Sequence, residues 1–287
     1  MTKNESQKIE INFAFFGTPH FSVFTLEEME KGGLLPSLVV TAPDRPAGRG
    51  LKLAPPPVKV WAKAHKIPVL QPEKLDSDFL YKLKTTNYKL SIVAAYGKII
   101  PQAVLDIPAY GTLNVHPSLL PKFRGASPLQ STILSGDEET GVTIMQMDAE
   151  MDHGPIIKSQ KLKVENMNTE ELGEKLFRRG GQMLADIIPK WTAGEIKAMP
   201  QDHSAATYTK KVDKKDGLID PDGDHELNWR KFRAYHPWPG IYFFTANGTR
   251  VKITAAIFEN GAFIIKKVIP EGKREVAYEE LSRKLNI

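Results

Sequence analysis

With 287 residues, 41% of them hydrophobic and none of them cysteine, the chain can bury one large core or two smaller ones. It has no thiol for disulfides, thiolate catalysis or cysteine-ligated zinc. The opening MTKNESQKIEI lacks an apolar h-region, and no apolar run approaches the ~18 residues of a membrane span, so a soluble cytoplasmic protein without a membrane partner is expected. A formal charge of +5 suits a polyanionic partner, although where the charges cluster says more than their sum.

Ile9 to Phe16 is a nearly continuous apolar run that ends at Gly17-Thr18-Pro19, and His20 to Lys31 carries Phe21, Phe24, Leu26 and Met29 at helical spacing. A strand, a turn and a helix are predicted, without the further glycines of a dinucleotide fingerprint. Ser37 to Thr41 reads as a second strand. Ala42 to Pro57 is a Pro- and Gly-rich loop bearing Arg45, Arg49 and Lys52 against the single acid Asp44. It is too long for a mere connector and lacks the Walker pattern of a phosphate cradle. A helix at Val58 to His65, a strand at Ile67 to Leu70, a helix at Asp76 to Lys84 and a strand at Lys89 to Ala95 follow. This alternation predicts an α/β fold with a doubly wound, mostly parallel sheet. Tyr96 to Pro101 then lies at the carboxyl edge, where open α/β sheets place ligands.

From Thr112, Asn114 and His116 alternate with Leu113 and Val115, so a strand here points both polar side chains to one face. Ser127 to Leu134 is predicted as a helix capped by Ser127. Thr140 to Met147 and Ile156 to Val164 are predicted strands flanking a turn at Asp152-His153-Gly154-Pro155, and Thr169 to Trp191 a long amphipathic helix. A carboxylate at Asp152 can reach His116. An Asp beside a His favours the imidazolium, and an Asn amide adds a fixed donor. Such a set stabilises an oxyanion and relays a proton, as acyl transfer to an amine requires. Singly, each residue has a plainer role: a strand-end turn at Asn114, a satisfied polar group at His116, a solvated acidic cluster of Asp148, Glu150 and Asp152.

After Thr192 the chain becomes polar and loses its periodicity. A boundary near Pro200 gives a first domain over 1–199 and a small β-rich domain over 200–287, whose first part, 200–226, is a linker. Leu227 to His236 is predicted as a short helix, and His236 to Gly240 as a rigid turn. Asn247-Gly248 and Asn260-Gly261 each sit between strand-like runs, the pattern of hairpins in an antiparallel meander or partial barrel. Lys210, Lys211, Lys214 and Lys215 form a basic cluster. The histidines show no metal-ligand spacing, and no metal is expected.

NVHPSLLPKFRGASPLQ followed by ETGVTIMQMDAEMDHGPII closely resembles the active-site region of the folate-dependent formyltransferases. PDRPAGRG resembles a loop characteristic of those members that act on tRNA, and TYTKKVDKKDGLID, RAYHPWPGIYF and PEGKREV resemble their carboxyl-terminal domain. The resemblance implies a Rossmann-like catalytic domain and an OB-like barrel, abbreviated here because the chain passes almost directly from the first hairpin to the PEGK segment. It implies that Asn114, His116 and Asp152 are the catalytic trio. It places Ser118, Leu119, Leu120 and Pro121, with Tyr96, Gly97, Ile99 and Ile100, around the co-substrate 10-formyltetrahydrofolate. Arg45, Arg49 and Lys52 would meet the acceptor end of a tRNA, and Lys210 and Lys211 its phosphates. The implied reaction is formyl transfer to the α-amine of methionyl initiator tRNA, and a monomer is expected. Two rivals stay open: the same chemistry on an amino sugar nucleotide or glycinamide ribonucleotide, and a catalytically silent RNA-binding homologue.

Overall fold

The structure, a computed structural model, describes residues 11–47 and 50–285. The chain divides into two compact units. The first comprises Met1–Arg124, Gly141–Lys161 and Glu174–Ala206, and the second Gly125–Thr140, Leu162–Gly173 and Thr207–Ile287. The second unit thus takes in two segments from the middle of the chain as well as its carboxyl-terminal residues. Among the described residues no helix is long and apolar enough to cross a membrane.

The first unit begins with β1 (Phe13–Gly17), α1 (His20–Lys31) and β2 (Leu38–Val40), followed by a hairpin of β3 (Arg45–Ala47) and β4 (Lys52–Ala54). Next come α2 (Pro57–Ala64), β5 (Val69–Leu70), α3 (Ser77–Lys84), β6 (Leu90–Ala94), the short α4 (Gln102–Leu105) and β7 (Thr112–His116). The Ala42 to Pro57 stretch, read from the sequence as a loop, therefore contains an antiparallel hairpin, with Arg45 opposite Ala54 and Ala47 opposite Lys52. Its Pro and Gly content hides the pairing, because both residues are poor strand formers. In chain order the two-residue β8 (Arg124–Gly125) comes next, followed by α5 (Pro128–Ser135), which belongs to the second unit, and then β9 (Glu139–Gln146), β10 (Ile156–Lys163) and the 24-residue α6 (Thr169–Thr192).

The central sheet has the order β10-β9-β7-β6-β1-β2-β5. The pairs from β5 to β7 are parallel, while β9 runs antiparallel to β7. Every residue of β1, β6 and β7 is buried, as expected of parallel strands covered on both faces. The strand order reverses between β1 and β6, the position where such sheets open a crevice at their carboxyl ends. One side chain ties those ends together. The Ser22 hydroxyl of α1 donates to the Ala94 carbonyl at 2.6 Å and accepts the Thr18 amide at 3.1 Å, while the Thr18 hydroxyl donates to the Tyr96 carbonyl at 3.0 Å. Gly17 makes the close approach possible, since a Cβ there would lie 2.7 Å from both the Phe15 ring and the Ser22 Cβ.

The second unit holds β11 (Tyr208–Thr209), which pairs with β8, and α7 (His225–Ala234), followed by the antiparallel sheet β12 (Ile241–Phe244), β13 (Arg250–Glu259), β14 (Ala262–Pro270) and β15 (Val276–Ala277); α8 (Tyr278–Leu285) ends the described chain. Asn260 and Gly261 both have positive φ, at 51° and 77°, between the paired Glu259 and Ala262, which is the two-residue hairpin their sequence predicts. Asn247-Gly248 sits in a longer loop in which the Asn247 side chain accepts from the Thr249 amide. Ser127 precedes α5, yet its side chain makes no capping hydrogen bond, and the expected cap is not formed; separately, its backbone amide donates to the Thr209 hydroxyl at 3.0 Å. Asp224 does cap α7, accepting from the Leu227 amide.

Because Gly17 has no room for a side chain, Gly17→Ala is expected to cost roughly 1–3 kcal/mol through overpacking. Urea unfolding checks this, the midpoint falling while the slope of the transition stays unchanged.

Candidate active site

Residues 114 and 116 of β7 share a face by strand alternation, and the pairing sets their neighbours. Asn114 lies beside Val93 of β6 and Met145 of β9, and His116 beside Thr143 of β9. Asn114 is 9% exposed and His116 4%. Among the described residues the Asn114 amide makes no hydrogen bond within the protein, which leaves its donors and its acceptor for something else.

Because β9 runs antiparallel to β7, it ends beside Leu113, at the far end of β7 from His116. The turn over 147–155 must therefore double back, and it does so tightly. The Gln146 amide donates to the Pro155 carbonyl at 2.9 Å, and a Cβ on Gly154 would stand 2.0 Å from the Gln146 carbonyl oxygen. At its far side Asp152 adopts a left-handed backbone, φ 51°, and brings Oδ1 to 3.5 Å from His116 Nδ1. The other ring nitrogen, Nε2, lies 3.0 Å from the Phe123 carbonyl oxygen, which can only accept, so Nε2 donates. His116 is thus held between a backbone acceptor and a carboxylate. At 3.5 Å the Nδ1 contact is longer than a normal hydrogen bond, so the carboxylate stands beside the ring without a tight bond to Nδ1.

The segment after His116 is fastened by the residue opposite it. The Thr143 hydroxyl donates to the Ser118 carbonyl at 2.7 Å and accepts the Leu120 amide at 3.2 Å, while the Ser118 hydroxyl donates to the Lys122 carbonyl at 2.5 Å. Ser118 and Leu120 are buried, and Leu119 and Pro121 half-buried. The Tyr96 to Ile100 segment divides in two. Tyr96 and Ile100 join the apolar cluster around Phe16, Val93 and Val104, and burial pushes the Tyr96 hydroxyl up to about 12. Gly97, at φ 79° with open space where a Cβ would stand, and Ile99, 84% exposed, face outward.

The basic loop is anchored by its one acid. Asp44 accepts from Gln71 at 2.8 Å and from Lys59 at 2.7 Å, and these two bonds, Gln71 first, hold its carboxyl below the usual range. Arg45 is exposed and pairs with the exposed Glu73 at 2.8 Å, an ion pair of little energetic weight. Lys52 is exposed and has no partner among the described residues, and Arg49 lies outside those residues. Lys210 and Lys211 are exposed on the second unit.

Two further residues of the first unit, not marked out by the sequence, converge on the Asp152 turn. Arg124 is 1% exposed and Gln201 6%. Arg124 donates to the Gln201 side-chain oxygen through Nε at 3.2 Å and Nη2 at 2.6 Å. A lone arginine in a turn and a glutamine in a polar linker carry no periodic signal, so nothing in the local sequence could have found them.

The Formyl transferase family model matches residues 11–188. The chain is 46% identical over 244 residues to the methionyl-tRNA formyltransferase of Chloroflexus aggregans, covering 84% of this chain and 79% of that one. Among solved structures it is similar to a methionyl-tRNA formyltransferase from Clostridium thermocellum, with a TM-score of 0.61, 18% identity, and coverage of 91% of this chain and 98% of that one. It is also similar to a 4-N formyltransferase from Francisella tularensis, with a TM-score of 0.65, 19% identity, and coverage of 86% and 98%. The long matched span and the identity over most of both sequences place the chain in the formyl transferase family, among the methionyl-tRNA formyltransferases.

Proposed function

We propose that this protein transfers a formyl group from 10-formyltetrahydrofolate to the α-amine of methionine on initiator tRNA, in the cytoplasm. The observation that carries the reading is the His116–Asp152 pair at 3.5 Å with the unpaired Asn114 amide on the same face of β7. The methionyl-tRNA formyltransferase relatives support it.

In this reaction the amine nitrogen bonds to the formyl carbon, the carbonyl oxygen takes negative charge, and the bond to the folate nitrogen then breaks. One proton leaves the amine and one reaches the departing nitrogen. Asn114 supplies a neutral N–H to the developing oxyanion, and His116 supplies positive charge beside it. An imidazolium satisfies both acceptors that flank the ring, the Phe123 carbonyl and the Asp152 carboxylate. The 3.5 Å separation leaves Nδ1–H loosely held and able to serve a proton transfer. We assign Ser118 to Pro121 and Tyr96 to Ile100 to the folate, and the exposure of Ile99 and the open space at Gly97 support the second segment. No residue acts as a covalent nucleophile in this scheme.

The acceptor is read from the hairpin of β3 and β4. Arg45 and Lys52 are exposed on a loop whose root is clamped through Asp44, Gln71 and Lys59, which suits phosphate contacts at the acceptor end. Lys210 and Lys211 offer a second basic surface. The loop favours tRNA over an amino sugar nucleotide, whose few charges need no such extended basic surface.

His116→Ala and Asn114→Ala are each expected to lower turnover by about 10²-fold or more, as removal of an oxyanion donor does elsewhere. Formylation of charged initiator tRNA with a saturating folate donor measures this, and wild-type turnover in a folded His116→Ala protein would remove the proposed role. Replacing Arg45 and Lys52 together by Glu should raise KM for the tRNA at near-constant kcat. It should also flatten the dependence of log affinity on log salt by about one unit for each phosphate no longer neutralised. An unchanged salt slope would place the tRNA elsewhere.

A further inference from the structure

Asp152 faces His116 from a 147–155 turn whose backbone carbonyls are held by a residue outside it. Asp152 sits at φ 51°, a left-handed region that aspartate enters more readily than most residues but that is uncommon outside glycine. What holds it comes from another part of the chain. Gln201 Nε2 donates to the Asp152 carbonyl at 2.9 Å and to the Gly154 carbonyl at 2.7 Å, bracketing the turn from both sides of His153. With its side-chain oxygen taken by two N–H groups of Arg124, Gln201 uses its full hydrogen-bonding capacity inside the protein.

The contacts close into a ring. Arg124 Nη2 also donates to His203 Nδ1 at 2.9 Å, since a guanidinium cannot accept. The His203 ring stacks on His153 with centroids 4.0 Å apart and planes 6° from parallel, and His153 Nδ1 donates to Asp148 Oδ2, within the same turn, at 2.7 Å. The segment before Gln201 is tied to the end of the turn by a reciprocal backbone pair between Ile156 and Met199, at 2.8 and 2.7 Å. The segment 199–203 therefore straps the turn through backbone, amide and ring contacts, and Arg124 anchors the strap.

We propose that Gln201, anchored by Arg124, is the positioning residue for Asp152: its two amide hydrogen bonds to the turn hold the carboxylate against His116. Gln201 touches no reacting group in this account and acts through Asp152 alone. The inference rests on the reading of His116 and Asp152 as catalytic partners.

The variant that isolates the role is Gln201→Glu. It keeps an oxygen acceptor for buried Arg124, so the guanidinium stays paired, but it removes both donors and sets a carboxylate against two carbonyl oxygens. The full-length protein, Gln201→Glu, Asp152→Asn and the double variant are compared for formylation of charged initiator tRNA at saturating folate donor, together with Tm and amide hydrogen exchange. Gln201→Glu is expected to lose roughly ten- to a hundredfold in kcat, the scale of a small misplacement of a catalytic group. KM for the tRNA should hold, Tm should fall by several degrees while the protein stays folded, because two buried carbonyls lose their donor, and exchange should quicken across 147–155 but not in β7. In the Asp152→Asn background the same change should cost less than about twofold, because a residue that acts through another loses its effect once that other is gone. Full kcat in Gln201→Glu alongside a crippled Asp152→Asn overturns the inference and leaves the catalytic pair standing. Equal losses in both backgrounds overturn it as well, since Gln201 would then act independently. Wild-type kcat in Asp152→Asn defeats the pair itself, and the positioning role falls with it.

Discussion

The register of β7 between β6 and β9 governs the site. Side chains alternate faces along a strand, so a slip of one residue would send Asn114 and His116 to the opposite side and Leu113 and Val115 into their place. That register is strongly specified because every residue of β7 is buried and its neighbours on both sides are paired residue by residue. It also places Thr143 opposite His116, where one hydroxyl fastens both the Ser118 carbonyl and the Leu120 amide. A single pairing thus sets the polar pair and ties down the loop that follows it.

The antiparallel course of β9 creates a difficulty and a resource. A parallel strand would deliver its carboxyl-terminal residue beside His116 directly, whereas β9 ends at the other end of β7 and the chain must fold back. A turn that folds back exposes carbonyls which need partners when buried. Here the Gln146 amide, Gly154 with its missing side chain, and the Gln201 amide together supply closure, clearance and partners. The burial of Arg124 belongs to the same account. A guanidinium that is 1% exposed must be hydrogen-bonded in several directions, and those directions fix where Gln201 and His203 lie.

The surroundings of the site divide by exposure. Asn114 and His116 on β7, and Ser118 and Tyr96 just beyond the ends of β7 and β6, are buried where packing limits their freedom, whereas Arg45, Lys52 and Ile99 stand in solvent. Chemistry that depends on fractions of an ångström suits the first kind of support, and recognition of a large polyanion suits the second. The fold does not choose the acceptor. Structures 18% and 19% identical, one a methionyl-tRNA formyltransferase and one a 4-N formyltransferase, share it with similar TM-scores of 0.61 and 0.65.

Local sequence determined much of this protein. Buried parallel strands announce themselves as apolar runs at Phe13 to Gly17 and Leu90 to Ala94, and strand alternation alone puts Asn114 and His116 on one face. Asn260-Gly261 foretold its hairpin because both residues tolerate positive φ, as the turn demands. These features rest on periodicity and on intrinsic backbone preference, which neighbouring residues carry by themselves. The absence of the expected side-chain cap at Ser127 and the convergence of Arg124 and Gln201 on the Asp152 turn were decided by the tertiary structure alone. Arg124 and Gln201 are 77 residues apart, and the turn that Gln201 holds lies 49 residues before it. Hydrogen bonds across such separations leave no local pattern, because their geometry exists only once the strands between have taken their order.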